Sequence, residues 1–70
     1  MITFNFNNSI VEILSIAMKA VNAATLNNMK VIVKIGKFDH IVKPYDVIEE
    51  TVNRINILNI RQQIVELQAS

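Results

Sequence analysis

His40 is the only histidine in the chain, directly after Asp39 and a few residues before Asp46. An imidazole titrates near neutral pH, so it can pass a proton or bind a metal. To act as a catalyst it needs a carboxylate or nucleophile aimed at the ring. Asp39 cannot supply one, because successive side chains on an extended strand point to opposite faces. His40 therefore reads as a neutral, partly buried structural or interface residue. Asp46, Glu49 and Glu50 crowd together, but they precede or open a helical pattern, where carboxylates satisfy free N–H groups and complement the helix dipole. The chain has no Cys and one Gly. That excludes disulfides, Cys/His zinc sites and glycine-rich phosphate loops. No catalytic residue, metal site or cofactor is expected, and an enzyme is the least expected class.

The cations offer different chemistry. Lys30, Lys34, Lys37 and Lys43 face only Asp39 as a negative charge between residues 30 and 43. On a two-stranded ribbon they could meet a phosphate backbone. Arg54 and Arg61 follow downstream. Lys34, Lys37, His40, Lys43, Arg54 and Arg61 are thus the candidate contacts to a nucleic acid or small anion. A small anion held between subunits would draw on Lys37, Arg54, Arg61 and the Asn7–Asn8 pair before a helix. Against a nucleic-acid surface, the lysine block lacks Arg and stacking aromatics, and the whole chain carries a net charge of only +1. Lysines that keep a sheet edge from recruiting strands are the plainer account.

These side chains are positioned by elements that can be read from spacing. ITFNF alternates apolar and polar residues, the period of a strand with one buried face. Ser9 and Glu12 form a capping box that predicts a helix from about residue 10 to 26. In that helix Glu12, Ser15, Lys19 and Asn22 make one narrow polar stripe on a broad apolar surface. Asn27 and Asn28 suit a left-handed stop. With Gly36 and Lys37 as a two-residue turn, VIVKI pairs with FDHIV so that Ile35 faces Phe38, Lys34 faces Asp39, Val33 faces His40, Ile32 faces Ile41 and Val31 faces Val42. Pro44 ends the second strand. Asp46 with Glu49 repeats the capping pattern and opens a helix from about residue 46.

That last helix carries two stripes. Ile48, Val52 and Ile55 share one face, whose next positions fall to Asn59 and Gln62. Ile57, Ile60, Ile64 and Leu67 begin a second face about 200° away, since each residue turns the side chain by about 100°. A break at Asn59, with Gln62 capping a short third helix, is the alternative to one long helix. The 3-4-3 spacing of the second stripe is that of a seam between helices. Arg61 and Glu66 are expected to flank it, with Asn56 and Gln63 at its wet margin.

The expected architecture is a single α+β domain over residues 1–70, a small two-layer β-α-β-β-α unit with a three-stranded sheet and both helices on one face. Chains of this length are marginal alone, and 51% of these residues are hydrophobic. Oligomerisation is therefore expected, with Ile57, Ile60, Ile64 and Leu67 as the interface. The longest apolar run falls short of the roughly 20 residues needed to cross a bilayer, and no secretory leader is legible. A cytoplasmic protein with no membrane contact is expected. Its function at this level is binding: a small regulatory or inhibitory homo-oligomer, of a size that phages and compact operons encode, occupying a protein partner. A nucleic-acid-binding ribbon and sequestration of a nucleotide or other small anion between subunits are the alternatives.

Overall fold

A computed structural model describes residues 2–5 and 12–69, in the order β1 (Ile2–Asn5), α1 (Ile13–Asn27), β2 (Val31–Ile35), β3 (Phe38–Val42) and α2 (Ile48–Ala69). The strands form one mixed sheet in the order β1-β2-β3, with β1 parallel and β3 antiparallel to β2. The hairpin register is the expected one at all five pairs, from Val31 opposite Val42 to Ile35 opposite Phe38. Alternation fixes it, because a slip of one residue would turn Val31, Val33 and Ile35 out to water.

The turn at Gly36 and Lys37 is held by the far end of the molecule. Gly36 has φ +62°, a conformation that glycine takes without steric cost. Any Cβ at this position would also collide with the side chain of Gln62, which lies directly over it. The Gln62 Oε1 accepts the Lys37 N–H at 3.1 Å.

Both helices cover the same face of the sheet. Ile13, Ala17, Ala20, Val21 and Ala24 of α1 and Ile55 of α2 share one buried cluster with Val31, Val33, Ile35 and Val42. Three alanines with no exposed surface, Ala17, Ala20 and Ala24, let the α1 backbone approach its neighbours closely. On the opposite sheet face Thr3, Asn5, Lys34, Asp39 and Ile41 are exposed. Helix α1 ends as its asparagines imply. Asn28 is left-handed, with φ 49°, and the Met29 N–H closes back on the Ala24 carbonyl at 3.1 Å, a six-residue closure that satisfies a terminal carbonyl. Phe6, Asn7, Asn8 and Ser9 lie outside the described residues, and the expected Ser9 cap with them.

The entry to α2 differs from expectation. Asp46 does not cap the helix with Glu49. Its Oδ2 turns back to accept the Lys43 N–H at 2.8 Å, and the Asp46 N–H meets the Lys43 carbonyl at 3.2 Å. Lys43–Asp46 is therefore a closed four-residue turn. Pro44 supplies its second position and Tyr45, at φ 65°, its third, the pattern of a type II turn. Tyr45 in place of the usual Gly or Asn is strained there, and its N–H donates to Thr25 Oγ1 of α1 at 3.0 Å. With Asp46 committed to the turn, α2 starts at Ile48, and Thr51 secures its first turn through N–H and hydroxyl donation to the Val47 carbonyl.

From there α2 runs unbroken to Ala69, through Asn59. Its 22 residues span about 33 Å, while a five-residue strand spans about 17 Å. The molecule is correspondingly long in one direction, 40 × 21 × 14 Å, with a radius of gyration of 11.9 Å against about 11 Å for a compact chain of this length.

Candidate functional site

Helix α2 changes character along its length. In its first half the inward line is Ile48, Thr51, Val52 and Ile55, and Thr51 and Ile55 are fully or almost fully buried. The outward positions Glu49, Asn53 and Asn56 are polar and exposed. In the second half the arrangement inverts. The inward line continues through Asn59, 1% exposed, to the half-buried Gln62, whose Nε2 donates to Oε1 of the exposed Glu66 at 3.2 Å. The outward line becomes Ile57, Ile60, Ile64 and Leu67, with exposures of 44, 49, 49 and 75%.

The first stripe therefore does not end where its apolar residues end. It passes to polar side chains that still face the fold. Sequence periodicity misses this, because an inward Asn or Gln looks like a solvent position. Among the described residues the buried Asn59 Oδ1 finds no hydrogen-bond partner, a costly arrangement in an apolar setting.

A second cluster forms at the β3 edge. His40, Asp46, Val47, Glu50, Thr51 and Arg54 line a shallow cleft of about 150 Å³. Burial pushes the His40 imidazole below its ordinary value of 6.5; Asp46 opposes the shift and Arg54 reinforces it. The Pro44–Tyr45 turn brings Asp46 to His40, a neighbour that sequence adjacency to Asp39 conceals. Among the described residues, no group of three or more His, Asp or Glu side chains is placed to hold a metal.

The six candidate contact residues do not converge. His40 and Arg54 share the edge cleft, with two carboxylates beside them. Lys34 lies on the open sheet face directly opposite Asp39, which offsets its charge. Lys37 is at the hairpin tip under Gln62. Lys43 opens the turn into α2, at the other end of the strands. Arg61 is exposed two helical turns beyond Arg54. The cations are thus spread over several faces and interleaved with acids.

No helix among the described residues is long and apolar enough to cross a membrane. No family model matches the chain, and no significant similarity to a curated protein or a solved structure is found.

Proposed function

We propose that the protein is a small self-associating binding protein, regulatory or inhibitory in action, that works by occupying a protein partner rather than by catalysis. The observation that carries this reading is the inversion of α2. A helix that only covered its own sheet would keep its apolar side inward to the end. This one instead turns three isoleucines and a leucine outward at seam spacing while directing the buried Asn59 and the half-buried Gln62 inward. Each aliphatic side chain adds roughly 1.5 to 3 kcal/mol on full burial, enough in sum to support association of a chain that is marginal alone. The same surface, or the sheet face left open on the other side, is where a partner would be met.

Two alternatives draw less support. A nucleic-acid ribbon needs its lysines on one continuous surface, and here Asp39 lies among them. Anion capture between subunits needs Arg54 free of competing charge, and Asp46 and Glu50 line the same cleft.

Sedimentation equilibrium of the wild type and of the double variant Ile60→Lys, Ile64→Lys tests the proposal. The wild type is expected to be oligomeric at micromolar concentration. The variant is expected to sediment as a monomer with its helical circular dichroism retained, since both substituted side chains are about half exposed in one copy. A wild type that stays monomeric at high concentration overturns it.

A further inference from the structure

The outward stripe of α2 supplies only part of the area that a standard interface between two copies buries. From Ile57 to Leu67 it is about 15 Å long and one helix wide, on the order of 150 Å² in projection. A stable interface buries about 800 Å² on each partner. If the chain self-associates, as proposed above, more of its surface must take part.

Helix α1 supplies it. Leu14 and Met18 are 56% and 43% exposed and lie one turn apart beside a shallow hollow of about 450 Å³ that they line with Ser15, Lys19 and Asn22. Their position around the helix can be fixed. At about 100° per residue, Leu14 and Met18 fall on the same flank of α1 as Thr25. Thr25 Oγ1 accepts the N–H of Tyr45 just ahead of α2, so this flank faces α2. The other flank carries Ile16, which lines a second cleft with Phe4 of β1; Ser15 and Lys19, on the ridge of α1 between the two, border both.

The position along the helix is fixed too. The hairpin reverses β3 against β2, and Gln62 reaches back to the β2–β3 turn. Helix α2 therefore runs antiparallel to α1, with its C-terminal half beside the N-terminal half of α1. The hollow at Leu14 and Met18 thus adjoins the ridge of Ile57, Ile60 and Ile64.

We infer that two copies pack helix layer against helix layer about a two-fold axis, the Ile57–Ile60–Ile64 ridge of each seated in the Leu14–Met18 hollow of the other. A surface that offers a ridge and a matching hollow side by side is self-complementary, as an isologous interface requires. The two-helix face, with α1 about 22 Å long and the molecule 21 Å broad, has a projected area on the order of 500 Å², roughly three times that of the seam and much closer to the about 800 Å² per partner of a standard interface. A second copy is the occupant that fits, since the same two helices provide both halves of the fit. Both sheets then face outward, each with Lys34, Asp39 and Ile41 open.

Two measurements test this. The variant Leu14→Lys, Met18→Lys alters only exposed α1 positions. It is expected to weaken dimerisation roughly 100-fold or more by setting like charges into the interface, with circular dichroism unchanged. In a sample mixed from labelled and unlabelled protein, the Met18 methyl is expected to show intermolecular contacts to isoleucine methyls, while the Met29 methyl, beyond the opposite end of α1, shows none. If the α1 variant dimerises as the wild type does, or Met18 shows no intermolecular contact in a dimeric sample, the face-to-face arrangement is overturned and self-association through α2 alone remains. A monomeric wild type overturns both.

Discussion

The two halves of α2 are made from similar residues and face opposite ways. Up to Ile55 the isoleucines point to the sheet; from Ile57 on they point to water, while the amides of Asn59 and Gln62 point to the sheet. Averaged over the whole helix the two patterns partly offset each other, so α2 is less amphipathic overall than α1. Amphipathicity is thus a property of a helix together with its surroundings. The first half has the core beneath it. The second half extends along the hairpin end with a Gln62 hydrogen bond to the Lys37 N–H, where there is little apolar surface left to cover.

The largest expected effect separates these halves by one substitution in each. Ile55 has no exposed surface, and Ile55→Ala is expected to destabilise the subunit by about 2 to 5 kcal/mol through lost burial and a cavity. Ile60→Ala is expected to leave subunit stability nearly unchanged in dilute solution and to lower it only at concentrations where copies associate. Urea unfolding at two protein concentrations measures both. If dilute Ile60→Ala is destabilised as much as Ile55→Ala, the two halves are not different in kind.

A smaller effect is expected at the point of inversion. Asn59 is buried with its Oδ1 unpaired among the described residues, so the folded chain bears the cost of removing that oxygen from water. Asn59→Leu keeps the branched four-atom shape with somewhat bulkier ends, removes the orphaned atom and is expected to raise stability by about 1 kcal/mol. A shift of the urea midpoint with unchanged slope is the readout. A loss of stability would mean that Asn59 makes a necessary polar contact in the assembled protein, which would place the inversion itself under functional constraint.

Much of this was legible in the sequence where local chemistry and tertiary structure agree. The β2–β3 register followed from alternation on both sides of the lone glycine, and the end of α1 followed from its paired asparagines. The three-stranded sheet with two helices followed from element order. Legibility failed where a residue acts against its type. Tyr45 takes a left-handed conformation that favours Gly or Asn, so the turn that draws Asp46 back to Lys43 and beside His40 gave no signal. Asn59 and Gln62 point inward although they are polar, so the inner stripe seemed to stop. The pairing of Lys34 with Asp39 was legible from the hairpin register, but spacing within single elements does not reveal that Lys37, Lys43, Arg54 and Arg61 end up on different faces.

The smallest effect belongs to the His40 cleft, at the N-terminal, conventionally packed half of α2. Burial holds the imidazole below its ordinary 6.5, with Asp46 acting against the shift and Arg54 with it. The unfolded chain therefore takes up the proton at a higher pH than the folded one. Between the two values the unfolded state binds more protons, so stability rises with pH, is complete above about 6.5 and is lost as pH falls through that window. Melting temperature is expected to fall modestly from pH 7 to pH 5, and His40→Gln is expected to remove that slope. As the only histidine, His40 gives a single imidazole resonance whose titration can be followed directly by NMR. Asp46→Asn, which keeps an acceptor for the Lys43 N–H, is expected to lower the midpoint further, and Arg54→Gln to raise it, because each removes one opposing charge. Midpoints that stay fixed in both variants would show that the side chains around the cleft do not sense one another, and would leave burial alone to account for the histidine.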